Sequence, residues 1–240
     1  FTLGVLALGA IGVSTAVAGY KVSQYVNSDP QFTFSRERKD ALSVQGLEYA
    51  SRLKVQRVFA ADFGHSVFRV PLGERRRRLL AIDWVEDASV SRIWPDRLVV
   101  RIRERKPVAF VSFHSGVLLI DANGVLLEQP AQAQFAFPVL SGLREDETEA
   151  QHREHVRAFL QVQEEMGYLV KEISEVDTTD PENIRIVSQV DHRAVTLLMG
   201  DGNYARRYQN FVTHYPEIRK RSPQARVFDL RLDGRITVRE

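Results

Sequence analysis

Cysteine is absent from all 240 residues, which excludes disulfides and thiolate metal sites. Charge of either sign is absent from the first 20 residues. The whole chain carries a formal net charge of only +2, so the arginine excess is no nucleic-acid footprint unless it clusters. Several catalytic signatures are also missing. There is no Walker A, no GxGxxG after a strand, and no GxSxG elbow, since Gly64-His65-Ser66-Val67-Phe68 lacks the closing glycine. No internal repeat or low-complexity tract occurs. What is present, 44% hydrophobic and 27% charged residues, is an ordinary globular balance with room for one or two cores.

The uncharged opening, Phe1 to Tyr20, matches a bilayer crossing. At about 1.5 Å per residue, roughly 20 residues span a ~30 Å hydrocarbon core. Leu3, Val5, Leu6, Leu8, Ile11, Val13 and Val17 would face lipid. Tyr20, Lys21 and Tyr25 sit where an interfacial belt belongs. Gly4, Gly9, Gly12 and Gly19 suit a membrane helix better than a soluble one. A cleaved signal peptide is the other reading, with Ala16-Val17-Ala18 imitating a cleavage site, but its apolar region is usually shorter. We expect a retained transmembrane helix over 1–26, a segment preceding it, and a polar tether over 27–40.

Beyond the tether the periodicity alternates between strand and helix. Ala41 to Leu47 reads as a short strand. Ala50 to Phe63 reads as a helix with Leu53, Val58, Phe59 and Phe63 on one side and Gly64 as terminator. Glu74 to Ile82 is a second helix, with Leu79, Leu80 and Ile82 apolar. Trp84 to Glu104 is a hairpin: Trp94-Pro95-Asp96 stops its first strand, and Leu98, Val100 and Ile102 alternate with Arg97, Val99, Arg101 and Arg103 in its second. Strands follow at Val108 to Phe113, Val117 to Ile120 and Val125 to Leu127, with a turn at Asp121 to Gly124. An amphipathic helix over His152 to Met166 buries Val156, Phe159, Leu160 and Met166. Three strands lead to a helix over Asn203 to Tyr215, with Tyr208, Phe211, Val212 and Tyr215 at helical spacing and Pro216 ending or kinking it. Val227 to Arg231 and Arg235 to Glu240 close the sequence as strands.

Candidate chemical groups are few. His152 and His155 are three apart on a helix, but no third ligand is spaced to join them, and surface histidines are the expectation. His65, His114, His192 and His214 stand alone. Asp121, Asp177 and Asp201 lie at strand ends, where turn chemistry is the common use. Arg75-Arg76-Arg77-Arg78 is the densest charge. Four successive helical residues point around most of a turn, so they form no single face, and a solvated helix with a protein-contact role is expected.

The hairpin carries a resemblance. Trp84-Val85, Ala88, Val90, Arg92, Trp94-Pro95, then Leu98, Val100, Ile102, Glu104-Arg105 and Pro107-Val108-Ala109 stand in the register of the FtsQ/DivIB family of bacterial cell-division proteins. Val44-Gln45-Gly46, Gly64-His65-Ser66-Val67-Phe68-Arg69-Val70, Leu118-Leu119-Ile120-Asp121, Phe137-Pro138-Val139 and Asp229-Leu230-Arg231 are similar to further elements of that family. The resemblance implies an α+β chain: the transmembrane helix, a POTRA domain (β-α-α-β-β) over 41–107, then a mixed α/β domain over 108–240 with an extended, largely antiparallel sheet ending in an exposed edge strand. It further implies a non-enzymatic divisome scaffold of the inner membrane, single-pass, with periplasmic domains enriched at the septum. FtsB, itself paired with FtsL, would add as a strand to the C-terminal edge, other divisome components could use the POTRA domain, and no cofactor or nucleic acid is implied. The contact residues carried over are Arg231, Leu232, Arg235, Ile236, Thr237, Val238 and Arg239, with Leu232 standing where the family often has an aromatic. A POTRA module of envelope protein assembly or secretion is a rival reading. A membrane-tethered cell-wall enzyme is another, and would need a nucleophile–base or metal constellation that the sequence does not display.

Overall fold

A computed structural model describes residues 17–232 and 234–239. Leu3, Val5, Leu6, Leu8, Ile11 and Val13 therefore lie outside the described residues. Val17 is half exposed at the start of a helix over residues 17–28 (α1). Among the described residues no helix is long and apolar enough to cross a membrane. The chain divides into two compact units between Arg105 and Lys106.

In the first unit, β1 (Leu42–Gln45), α2 (Arg52–Val58), α3 (Leu72–Leu80), β2 (Val85–Ile93) and β3 (Arg97–Glu104) follow in order. The sheet order is β1-β3-β2, with β1 parallel and β2 antiparallel to β3. Leu98, Val100 and Ile102 point inward as their alternation requires, packing with Val55, Phe59 and Leu79 from the helices. Gly46 allows the chain to leave β1: its φ is +80°, and a Cβ there would lie 2.0 Å from the Ile102 carbonyl oxygen. The Glu104 carboxylate then closes the loop, accepting from the backbone N–H groups of Glu48 (2.9 Å), Tyr49 (2.9 Å) and Ala50 (2.7 Å).

Three expectations for this unit change. The first helix ends at Val58 rather than Phe63; Val55 and Phe59 are buried, whereas Leu53 is largely exposed. The segment 27–40 is more than a tether, because Phe32 and Phe34 are buried and Phe34 stacks on Phe63 at 4.3 Å. The arginine run is not uniformly solvated. Arg75 is buried, donating to Asp62 from Nε (2.7 Å) and Nη2 (2.8 Å). Arg76 donates to the Ala88 carbonyl and to Asp87, and Arg78 pairs with Glu74. Arg75 and Arg78 meet at the Glu74 carboxylate, whereas Arg76 reaches the other way to β2.

The second unit runs β4 (Pro107–Phe113), β5 (Gly116–Asp121), β6 (Leu126–Leu127), β7 (Val139–Ser141), α4 (Glu149–Met166), β8 (Ile173–Asp177), β9 (Ile184–Val190), β10 (Arg193–Gly200), α5 (Tyr204–Arg221), β11 (Val227–Asp229) and β12 (Thr237–Arg239). Its sheet order is β12-β11-β10-β9-β8-β7-β4-β5-β6. The sheet is more mixed than expected. The β7/β8 and β10/β11 pairs are parallel because α4 and α5 serve as crossovers, and β4/β7 is parallel as well. The remaining pairs are antiparallel.

Both crossover helices bury an apolar stripe in one core. α4 begins with a capping box between Thr148 and Gln151 and buries Val156, Phe159, Val162 and Met166. His152 occupies the same stripe. It is 3% exposed, with Nε2 3.1 Å from the Arg144 carbonyl oxygen, which corrects the surface-histidine expectation. The spacing His152, Val156, Phe159 is i, i+4, i+7 and already places it inward. His155 is half-buried, with Nδ1 2.9 Å from Thr178 Oγ1 and 3.1 Å from the Thr178 carbonyl oxygen. Asp121 does turn chemistry, accepting from Asn123 N–H and Val125 N–H. α5 continues through Pro216 to Arg221. The carbonyl that Pro216 leaves without an N–H belongs to Val212. Both residues are on the wet side, where water can take the vacant bond.

Candidate interface at the C-terminal edge

The residues at the end of the chain are positioned by a helix that precedes them. α5 packs Phe211 and Tyr215 onto Phe228, ring centroids 4.9 and 5.9 Å apart. Tyr208 adds a hydrogen bond of 2.9 Å between its hydroxyl and that of Ser188 in β9. Burial raises the Tyr208 phenol, with the Ser188 bond opposing, and pushes Tyr204 up to about 12. These anchors hold β11 beside β10 in the register Leu197 to Phe228, Leu198 to Asp229. The Leu230 N–H extends the pairing to the Leu198 carbonyl at 3.0 Å.

β12 pairs antiparallel to β11, with Val238 opposite Phe228. It has β11 on one side and, among the described residues, no strand on the other. In an antiparallel strand alternate backbone groups point away from the partner, so β12 presents unpaired donors and acceptors at its outer edge. Arg235 and Ile236, expected within this strand, lie just before it. Val238 and Ile236 are half-buried against the core, whereas Thr237 and Arg239 are exposed. Leu232 is 62% exposed on the loop between the two strands.

Asp229 organises the rim. Its carboxylate accepts from Arg231 Nε (2.9 Å) and Nη2 (2.7 Å), from the Arg231 backbone N–H (3.2 Å), and from Arg239 Nη2 (3.0 Å). Arg231 also donates from Nη1 to Asn183 Oδ1 at 3.0 Å. The Arg231 hydrogen bonds, against the opposing effect of burial, hold the Asp229 carboxyl down at about 2. One carboxylate thus joins the end of β11, the following loop and β12.

Beside this edge lies a groove of about 320 Å³ between α5 and the terminal loop, lined by Arg206, Asn210 and Thr213 on one side and Leu232, Arg235 and Ile236 on the other. The α5 residues were absent from the sequence-based set. Their spacing, Arg206, Asn210, Thr213 (i, i+4, i+7), marks the face opposite the buried Tyr204, Tyr208, Phe211, Tyr215 stripe. Among the described residues no group of three or more His, Asp or Glu side chains could hold a metal ion.

Comparison with known proteins bears on both units. An FtsQ-type POTRA domain model matches residues 40–105, and a model of the FtsQ/DivIB cell division protein C-terminal region matches residues 109–231. The chain is 35% identical to the cell division protein FtsQ of Koribacter versatilis over 237 residues, covering 96% of this chain and 68% of that protein. It is 23% identical to the FtsQ of Syntrophotalea carbinolica over 98% of this chain and 83% of that protein. With the FtsQ of Zymomonas mobilis it shares 37% identity over 86 residues, 36% of this chain and 27% of that protein.

Proposed function

The chain belongs to the FtsQ/DivIB family of cell-division proteins, and from that premise we propose that it is a non-enzymatic scaffold of the bacterial divisome. In this reading the uncharged stretch that runs into α1 anchors it as a single-pass protein of the inner membrane. Both units stand in the periplasm at the septum. An FtsB-like segment, itself paired with FtsL, adds as a further strand along β12 and so couples earlier division components to septal peptidoglycan synthesis. The observation that carries the reading is the terminal place of β12 in the sheet order. Main-chain hydrogen bonds would supply affinity, and the adjacent groove would select side chains. Arg206, Arg235 and Arg239 around that edge favour a partner segment with acidic residues. In the free chain Arg231 is engaged with Asp229 and Asn183; its part is to set the rim as much as to touch a partner.

Pull-down of an FtsB-like peptide by the full chain tests this. Adjacent strand residues point their N–H groups in opposite directions, so Thr237→Pro and Val238→Pro each remove a donor from a different side of β12. The variant that keeps β11 pairing and loses only the outer donor should fold normally and lose the partner. Full binding by both variants rules out strand addition at this edge.

A further inference from the structure

The first unit carries an aromatic cluster whose arrangement is the reverse of a core. Phe32 is its hub and is 1% exposed. Its ring centroid lies 5.7 Å from Tyr25, 5.5 Å from Phe68 and 5.3 Å from Trp94. Those neighbours face outward: Trp94 is 66% exposed, Tyr25 54% and Phe68 36%. Large apolar side chains grouped on one surface mark a contact with something else. Side-chain bonds to backbone carbonyls hold the patch in this form. Arg92 donates from Nε to the Val67 carbonyl (2.8 Å) and from Nη2 to those of Val70 (2.7 Å) and Phe68 (3.3 Å). The Ser66 hydroxyl donates to the Val26 carbonyl at 2.8 Å. The turn bearing Phe68, the end of β2 just before Trp94 and the C-terminal end of α1 are therefore tied together.

What covers this patch follows from where α1 comes from. The 20 residues up to Tyr20 are uncharged, and α1 continues them. Tyr25 lies five residues further, or about 7 Å along a helix, and the headgroup layer beyond each side of the hydrocarbon is about 5–7 Å deep. The ring cluster, in contact with Tyr25, falls within that layer. Trp and Tyr favour this depth, where one part of the ring is dry and the other wet. Lys21 and Arg69 are exposed and suit phosphate, and the Asp29 carboxylate is occupied by the Gln31 N–H at 2.9 Å.

We propose that Trp94, Phe68 and Tyr25 form an interfacial foot, seated among phospholipid headgroups where α1 leaves the bilayer. The proposal rests on the anchored reading above and adds to it a fixed attitude of the first unit on the membrane. Such a foot replaces a free swivel at the anchor with a defined one, because side chains from three places along the chain touch the same surface.

Trp94 is its own reporter. The only other tryptophan, Trp84, is 6% exposed and packs on Tyr49, so full-length Trp84→Phe isolates Trp94. It is reconstituted in phosphatidylcholine–phosphatidylglycerol vesicles with or without lipids brominated near the headgroup. A seated Trp94 loses about half its emission to the brominated lipid and is shielded severalfold from aqueous acrylamide relative to free tryptophanamide. If Trp84→Phe fails to fold, the difference between the unmodified chain and Trp94→Phe gives the same reading. Protein that floats with vesicles while Trp94 ignores the brominated lipid overturns the foot and leaves the anchor standing. Protein that does not float overturns both. Shielding from acrylamide only in native envelopes, never in pure lipid, assigns the patch to a protein partner and also overturns the foot.

Discussion

Two aspartate–arginine pairs, one in each unit, have nearly the same geometry and opposite uses. Arg75 meets Asp62 with Nε and Nη2 at 2.7 and 2.8 Å, and Arg231 meets Asp229 with Nε and Nη2 at 2.9 and 2.7 Å. The side chains of the first pair are 8% and 6% exposed, and those of the second 39% and 14%. In the first unit the pair is closed off between α3 and the loop after α2, where a lone charge has nowhere to go. In the second it borders solvent and a strand edge, where either partner can be lost and replaced by water. The bidentate contact is shared; burial decides whether it holds a fold together or shapes a surface.

This contrast can be broken experimentally. The largest effect belongs to Arg75→Ala, which leaves Asp62 charged and buried and should cost about 3–5 kcal/mol. Chemical denaturation followed through Trp84, which is in the same unit, measures it. Replacing both partners, Asp62→Leu with Arg75→Leu, should recover most of that loss, because a buried pair exchanged for apolar side chains is often close to neutral. A double-mutant cycle that shows no recovery means the pair contributes more than charge compensation. At the rim, Arg231→Ala should cost under about 1 kcal/mol, yet weaken partner capture, since β11, the loop and β12 lose their common tie. Unchanged capture separates the ion cluster from the interface.

The smallest effect is in pH. The Asp229 carboxyl is depressed in the folded chain to about 2 from an ordinary 3.8. Its stabilisation is present above the ordinary value and disappears as pH falls through about 2. The protection factors of β12 amides, corrected for the intrinsic pH dependence of exchange, should therefore fall between about pH 4 and 2, and Asp229→Asn should remove that dependence. Protection that is flat across this range places the depressed carboxyl elsewhere.

Much of this was legible along the chain. The alternation of Leu98, Val100 and Ile102 named the buried face of β3, and most helices and strands in each unit followed from period and turn residues, though β7 did not. Residues of the hairpin that carried the family resemblance turn out to have local duties: Glu104 satisfies three amides, and Arg92 satisfies three carbonyls. Other features were not legible for equally specific reasons. Nothing adjacent to Arg75 announces Asp62, thirteen residues earlier. Pro216 reads as a stop until the wet side of α5 is known. Phe32 and Phe34 sit among polar residues, and it is pairing with the distant 64–66 stretch that brings them inward. The α5 wall of the groove shows in sequence as a polar stripe, indistinguishable from any solvated helix face until the terminal loop folds against it.

Local repetition, composition and motif register determined the kinds of elements, their order and the family, because hydrophobic period and turn chemistry act over a few residues. The tertiary structure decided which charges are enclosed, which strand is last in its sheet and which aromatic rings face outward. Those outcomes depend on contacts between residues tens of positions apart, and burial, which sets the strength of every polar contact, exists only once the chain has closed on itself.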